Sequence, residues 1–407
     1  MNCRHCGTPL THTFLDLGCA PPSNAYLRAA DLDRPELYYP LKIKVCGHCW
    51  LVQTEDHASA DELFHPDYAY FSSTSTGWLD HAARYAEEMA ARLQLSADSL
   101  VIEVASNDGY LLRNFVAARI PCLGIEPTAS TAAAAEKLGI PVLREFFGER
   151  LGRELAAQGR LADLVVGNNV FAHVPDINDF SRGLKAVLKP GGTVTLEFPH
   201  LMELLEHTQF DTVYHEHFSY LSLHTASRIL AAAGLRVRDV GRFATHGGSL
   251  RVFACHEDDP RPAESAVAAL LAEEARRGMQ DIAIYAAFQA RADQVKNDLL
   301  SFLLEQKRAG KTVAAYGAAA KGNTLLNYAG VKPDLLPFVC DAARLKQGRF
   351  MPGSRIPILP PSVLEAQRPD YVLILPWNIA SEVREQLAGL ARQGTRFVTA
   401  VPSLEIA

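Results

Sequence analysis

Apolar residues recur along this chain in two rhythms. Between Trp78 and Leu95 they fall three and four apart, which predicts an amphipathic helix. Short apolar runs bounded by turn formers follow: Ser99-Leu-Val-Ile-Glu-Val104, Pro121-Cys-Leu-Gly-Ile125, Pro141-Val-Leu143, Asp163-Leu-Val-Val166 and Thr193-Val-Thr-Leu-Glu-Phe198. Each predicts a buried strand, and helical stretches such as Ala132–Leu138 separate them, so the pieces predict a parallel sheet with helices on its faces. Residues 221–240 add a helix and the strand Leu235–Val240, and Leu250–Ala254 resumes the sheet. Pro260–Pro262 marks a linker into an alanine-rich helical region over about 263 to 309. A second sheet is predicted from Thr312–Tyr316, Leu336–Val339, Tyr371–Leu375 and Arg396–Ala400, with a helix starting near Leu325. Ahead of both, Leu15–Asn24 reads as a loop and Trp50-Leu-Val52 as a short strand. The expected architecture is α/β, with a small N-terminal module over 1–64, a doubly wound domain over 65–258 and a second α/β domain over 259–407.

Composition narrows the class. With 407 residues, 48 % hydrophobic and 21 % charged, the chain has the make-up of a globular enzyme. Its net charge of −6 gives no electrostatic footprint for nucleic acid or an anionic membrane. The sequence shows neither a long uncharged apolar run nor an apolar N-terminal signal region, so the cytoplasm is the expected compartment. Cys3-Arg-His-Cys6 and Cys46-Gly-His-Cys49 are two C-x-x-C pairs. Each sets two thiolates on one tight turn, and together Cys3, Cys6, Cys46 and Cys49 supply a closed, structural zinc site. Cys19, Cys122, Cys255 and Cys340 read as buried small apolar residues.

The turns carry the chemistry. After the first predicted strand comes Ala105-Ser-Asn-Asp-Gly109, which has acidic and amide side chains where a dinucleotide site has glycines. Such a turn repels a pyrophosphate and suits the sulfonium and ammonium of S-adenosylmethionine. Glu126, ending the next strand, is placed to accept ribose hydroxyls. Phe146 and Phe147 offer an apolar wall for adenine. Asn168, Asn169 and His173 follow the fourth strand, where ligands of doubly wound sheets lie. Tyr214-His-Glu-His217 packs two imidazoles, a carboxylate and a phenol into an apolar setting. That composition predicts the wall of a reaction pocket, with a metal site and plain packing as the alternatives. In Thr245-His-Gly-Gly-Ser-Leu-Arg251 the glycines admit a ligand close to the backbone, and His246 and Arg251 can bind oxygens. Gly317-Ala-Ala-Ala-Lys-Gly-Asn-Thr324 is a small-residue turn with a basic group, suited to phosphate; tight helix–strand packing is the alternative. The segment Phe64–Ser75 reads equally as a linker or as a lid. One acidic turn and one basic turn predict two ligands: a cation-bearing methyl donor and an anionic acceptor.

In this order the pieces read as a class I methyltransferase core, and the motifs together resemble a family. They are the paired C-x-x-C module, Tyr68-Ala-Tyr70-Phe-Ser-Ser73, Glu103-Val-Ala-Ser-Asn-Asp-Gly109, Glu126-Pro127, Asn168-Asn-Val-Phe-Ala-His173, Tyr214-His-Glu-His217, His246-Gly-Gly-Ser-Leu-Arg251, Ala314–Asn323 and Leu375-Pro-Trp-Asn378. The resemblance is to the sugar C-methyltransferases that act on nucleotide-linked 4-keto-deoxysugars, and it covers nearly the whole chain. It implies a donor site at Glu103, Ala105, Asn107, Asp108, Gly109, Glu126, Pro127, Phe147, Asn168 and Asn169. It implies His217 as the base that forms an enolate, Tyr214 as a donor to the enolate oxygen and Glu216 as a tuner of the imidazole. It further implies an acceptor site at Tyr68, Tyr70, His173, His246, Arg251, Lys321 and Asn323, with methylation at C3 beside a C4 ketone. The expected partner is a nucleotide-linked sugar, with neither nucleic acid nor membrane, and the expected state is a monomer or weak homodimer. Ala105 departs from the glycine common in the family, which predicts a negative φ there. Rival readings are an O- or N-methyltransferase, a zinc-containing nucleic-acid methyltransferase, and an oxidoreductase using the C-terminal sheet.

Overall fold

The computed structural model describes residues 1–57 and 71–407. The first sheet is antiparallel and built from β1 (His12–Ala20), β2 (Tyr39–Val45) and β3 (Val52–Thr54). Its core face is set by period-two burial of Leu41, Ile43 and Val45. The stretch expected as a loop from Leu15 is therefore largely strand. Its alternation is hidden because the pairing with β2 shifts register between Thr13 and Leu15 and again between Asp16 and Cys19. Cys19, expected to be buried, sits exposed in the second irregularity. The strand expected at Trp50 begins at Val52.

Seven strands form the central sheet. They are β4 (Val101–Val104), β5 (Cys122–Ile125), β6 (Val142–Leu143), β7 (Ala162–Asn168) and β8 (Leu188–Pro199), then two more after the short β9 (Ser219–Tyr220), which joins the first sheet. The last two are β10 (Leu235–Phe243) and β11 (Ser249–His256). The order is β10-β11-β8-β7-β4-β5-β6, and only β11 runs against the rest. The first strand, β4, lies inside the sheet with β5 on one side and β7 on the other. The chain thus reverses its winding direction at the carboxyl end of β4, where a crevice opens. This is the class I methyltransferase arrangement.

The third sheet is β12 (Val313–Tyr316), β13 (Val339–Cys340), β14 (Ile358–Leu359), β15 (Tyr371–Ile374), β16 (Arg396–Thr399) and β17 (Glu405–Ile406). It is ordered β14-β13-β12-β15-β16-β17, with only the final strand antiparallel. The helix after β12 spans Ala320–Tyr328 and starts earlier than expected, so Lys321 and Asn323 are helical rather than in the turn. The Gly317 backbone has φ +90, and a Cβ there would lie 2.4 Å from the Pro376 ring. Packing alone therefore requires that glycine. The alanine-rich region resolves into three helices, Ser265–Arg276, Ile282–Ala286 and Phe288–Arg308.

One apolar core runs through all three parts. Phe14 of β1 stacks on Phe288 of the long helix at 4.7 Å, and its burial stabilises by about 2 kcal/mol. β9 pairs with β3, so the segment just after His217 is a strand of the N-terminal sheet. No helix of the described residues is long and apolar enough to cross a membrane.

Candidate active site

A cavity of about 590 Å³ opens where the carboxyl ends of the central sheet face the turn after β12. Its charges are segregated. The acids on its wall, Glu126, Glu145, Asp176 and Asp179, all come from the central domain. Among the described residues lining it, the lysines are Lys321 and Lys346, both from the C-terminal domain.

The central-domain half is shaped by the two turns that follow β4 and β5. Asn107 donates its backbone N–H to Glu126 Oε2 at 2.9 Å, and Thr128 donates to Oε1 at 2.9 Å. The carboxylate is thereby fixed at the end of β5 with further lone pairs to offer. Ala105, Asn107, Pro127, Phe147, Asn168 and Asn169 line the same half. Phe147 is held edge-on against Phe180 at 5.5 Å. Both side-chain atoms of Asn168, and Oδ1 of Asn169, are buried without a protein partner. Buried amides are ordinarily satisfied, so these mark a place for a polar ligand. An acidic, ribose-ready, amide-lined cleft with an aromatic wall fits S-adenosylmethionine.

Ala105 has φ +56, in the left-handed region rather than the negative range expected. The tight turn after β4 needs that conformation, and Asn107, at φ +49, shares it. Glu103, Asp108 and Gly109, expected on the cofactor, do not line the cavity. Glu103 lies wholly buried beneath the turn, where burial drives its carboxyl well above the ordinary range. Asp108 accepts the Ser73 N–H at 3.0 Å, tying down the chain before the first helix. A Cβ at Gly109 would lie 2.4 Å from Ile140. These residues build the turn from behind.

The other half is a histidine cluster. His217 donates from Nδ1 to the Thr212 carbonyl at 2.9 Å, a group that can only accept. That bond assigns the tautomer and leaves Nε2 as the basic nitrogen available to the cavity that the ring lines. Burial pushes His217 well below the usual imidazole range, so the ring is neutral. Tyr214 lies tilted against it at 4.0 Å and His173 meets it edge-on at 4.6 Å. His173, pushed down to about 4 by burial, donates from Nδ1 to the Glu216 carbonyl at 2.8 Å. His246, also lowered to about 4 by burial and then by Lys321, accepts from Asn169 Nδ2 at 2.9 Å. Lys321 reaches Asn378 Oδ1 at 2.6 Å over the Trp377 ring, and burial lowers it to about 8.

Several expected acceptor-site residues serve the scaffold. Glu216 turns away from His217, accepts from Asn24 Nδ2 at 2.9 Å and is pushed up to about 7 by burial. Arg251 is buried between Tyr85 and Phe243 and paired with the buried Glu197 at 2.6 Å, with Glu88 a second carboxylate at 3.6 Å, as a buried guanidinium requires. Asn323 donates to the Ser23 carbonyl at 2.7 Å. Gly247 and Gly248 make room for Trp377 and Glu203 side chains rather than a ligand. Tyr68 and Tyr70 lie outside the described residues. Sequence reasoning missed Asn24 and Trp78 on the wall, whereas Lys346 and Asn378, which also line it, lie near strand ends of the C-terminal sheet, where a ligand of that domain is expected.

At the far side of the first sheet the sulfurs of Cys3, Cys6, Cys46 and Cys49 lie within 4.8 Å of one another. Cys3–Cys49 and Cys6–Cys46 are 3.5 and 3.6 Å apart, close to the edge of about 3.8 Å that a tetrahedral thiolate shell implies. Gln53 donates to Cys3 Sγ at 3.2 Å, and His48 and Cys49 backbone N–H groups point at Cys46 Sγ. Such donors stabilise thiolates. His5 is engaged elsewhere, with Asn178 Oδ1 at 2.8 Å. The donor set fits structural zinc.

Comparison with known proteins agrees with this layout. Family models match in three consecutive blocks: a zinc binding domain over residues 3–64, a methyltransferase domain over 78–240 and a C-methyltransferase C-terminal domain over 244–402. The chain is 36% identical over 400 residues to the C-methyltransferase NovU of Streptomyces niveus, covering 98% of this chain and 95% of that protein. Among solved structures, the glycopeptide N-methyltransferase MtfA is similar at 17% identity and TM-score 0.35, covering 43% of this chain and 96% of its own. The magnesium protoporphyrin IX methyltransferase ChlM of Synechocystis PCC 6803 is similar at 15% identity and TM-score 0.36, covering 44% and 83%.

Proposed function

The chain belongs to the S-adenosylmethionine-dependent C-methyltransferases with an N-terminal zinc module, and from that premise we propose that its acceptor is a carbon beside the ketone of a nucleotide-linked 4-keto-deoxyhexose, probed first at C3. When bound, S-adenosylmethionine supplies a methyl group on a positive sulfur; Glu126, Asn107, Asn168 and Phe147 would hold it.

Carbon becomes nucleophilic here by losing a proton, and that is the work of the histidine cluster. The observation that carries the reading is His217: a neutral buried ring, its Nδ1–H committed to Thr212, between the donor half and Lys321. Nε2 takes the proton from the carbon next to the ketone. A depressed imidazole is a weak base, and each unit of depression removes about 1.4 kcal/mol of driving force. Enolate stabilisation must offset that, and one well-placed donor is worth about 3–4 kcal/mol. Tyr214 and the Lys321 ammonium supply it. Lys321 and Lys346 also give the acceptor half the charge that a nucleotide diphosphate requires.

The test is to incubate the enzyme with a panel of nucleotide-linked 4-ketohexoses in deuterated water, with and without the donor, and read products by mass spectrometry. The expected result is donor-independent deuterium uptake and donor-dependent gain of one methyl at the same carbon. Methyl gain without exchange, or no reaction across the panel, overturns the proposed acceptor and route.

A further inference from the structure

Lys321 works in a joint between two domains, and its setting holds a carboxylate that the reaction as described does not use. Asp211, in the short turn Phe210–Thr212 just before the histidine stretch, has no exposed surface. Its Oδ2 accepts from Trp377 Nε1 at 2.7 Å, and its Oδ1 is buried with no partner. Trp377 belongs to the C-terminal domain, in the turn after β15. Lys321 Nζ sits 4.5 Å from the centre of its ring, and Asn378, the next residue, accepts from the same ammonium. The other face of the contact is closed by Gly247, where a Cβ would lie 2.4 Å from the Trp377 ring, and by Gln209, which donates to the Gly247 carbonyl at 2.6 Å.

We propose that Asp211 is a positioning residue for methyl transfer: it anchors Trp377 from the central domain and so fixes the Lys321 ammonium on the acceptor side of the cavity. A buried carboxylate with one oxygen unsatisfied is a cost to the fold. Nothing in local packing demands it, since a threonine or asparagine would accept the same indole N–H. What a neutral acceptor lacks is charge, and charge here compensates a buried ammonium. The charged and titratable groups that bear on Lys321 are Asp211, from the turn before the histidine stretch, and the rings of His217 and His246, which burial keeps neutral. Burial lowers Lys321 and Asp211 opposes that fall, leaving it at about 8; Asp211 is itself raised by burial to about 6, so it is ionised at neutral pH. Through Trp377 the same carboxylate holds the ring that the ammonium rests on.

The inference rests on the reading of Lys321 given above, and the experiment separates the two. Asp211→Asn keeps an acceptor for the indole and removes only the charge. Lysine Nζ resonances of the folded, unliganded, ¹⁵N-lysine-labelled enzyme would be titrated, with Lys321 assigned through Lys321→Met. In Asp211→Asn the Lys321 pKa is expected to fall by about one unit, the size of one lost opposite charge nearby. An unchanged titration overturns the proposal. If Asp211→Asn does not fold, Trp377→Phe keeps a ring and removes the N–H. Loss of restrained Lys321 signals is then expected, and an unaltered lysine environment overturns the proposal equally. The kcat/KM profile for methyl transfer is read in parallel. A lysine pKa and an alkaline limb that fall together support the proposal; a lysine pKa that falls while the limb stays put overturns the role in methyl transfer, whereas failure of the proposed acceptor is read separately, from the product panel.

Discussion

At the scale of single residues, protonation states decide the chemistry. His217 is inactive as a base once protonated, and its pKa is lowered by burial, so the acid limb of kcat/KM is expected below 6.5 rather than at it. Lys321 must keep its proton to attract an enolate, so the alkaline limb is expected near 8. Replacing His217 with Asn is expected to reduce kcat by about 10²–10⁴-fold, the usual worth of a general base, while donor affinity measured by calorimetry stays put. A His217→Asn enzyme of normal rate would remove the ring from the mechanism. Ala105 gives a second test. Its left-handed backbone costs about 1–2 kcal/mol for a residue with a Cβ, whereas glycine adds about 0.5–1 kcal/mol of chain entropy on folding. Ala105→Gly is therefore expected to stabilise the central domain by about 0.5–1 kcal/mol, read from the denaturant midpoint. A lower midpoint would mean that the alanine methyl contributes packing that outweighs the strain.

Between elements, the decisive contact is a buried ion cluster joining the first long helix to two strands. His81, on the helix Thr76–Arg92, meets Glu197 of β8 at 2.9 Å, and Arg251 of β11 meets the same carboxylate at 2.6 Å. Above it, Trp78 stacks on His81 at 5.0 Å and lies 4.9 Å from His246, and both Trp78 and His246 line the cavity. Arg251→Met would strand Glu197 without its guanidinium, and the expected cost is about 3–5 kcal/mol in thermal or chemical unfolding. A loss under about 1 kcal/mol would show that water or His81 compensates the charge. Here the limits of sequence reading become physical. The strands of the central sheet were legible because burial on both faces leaves unbroken apolar runs, as in Leu100–Ile102 and Leu164–Val166. The carboxylate ending β5 was legible for the same reason, since strand ends can be located and the cavity opens there, whereas Asp108 of the acidic turn is turned to Ser73 and Lys321, expected in a turn, lies in the first turn of a helix. The role of Arg251 was not legible, because the partner that decides it, Glu197, stands 54 positions away. Asn323 was misread in the same way, its partner Ser23 being 300 positions away. The early strand β1 was hidden by its register shifts, since two interruptions in nine residues erase the period-two signal.

At the scale of the whole molecule, the three parts share one cavity, and each contributes something different to it. The central domain supplies the acidic half, where the donor is proposed to bind, and the C-terminal domain supplies the lysines. The zinc module supplies a brace. Asn24, from the loop between β1 and β2, lines the cavity and holds Glu216 at 2.9 Å. Two residues on, Tyr26 donates to the Ala318 carbonyl at 2.6 Å, the same carbonyl that Lys346 reaches at 2.8 Å. β3 carries β9 as its neighbour, immediately after the histidine stretch. The four-thiolate site therefore sets the shape of the acceptor half without touching it; on the acidic side its first knuckle meets the rim, Arg4 donating to the Pro175 carbonyl at 2.8 Å and Asn178 to the His5 carbonyl at 2.8 Å, away from Asn107, Glu126, Phe147 and Asn168. Stripping the metal with a strong chelator is expected to melt the first sheet, since binding energy at such sites is folding energy, about 10–16 kcal/mol in small modules. Methyl transfer should then fall to background while affinity for S-adenosylmethionine, measured by calorimetry, changes by less than about threefold. Cys3→Ser would reproduce the split without a chelator. Loss of donor affinity in step with activity would mean that the brace reaches across the cavity to the central sheet. Full activity in the stripped enzyme would mean that the loop from Pro21 to Leu27 is held by the C-terminal domain alone.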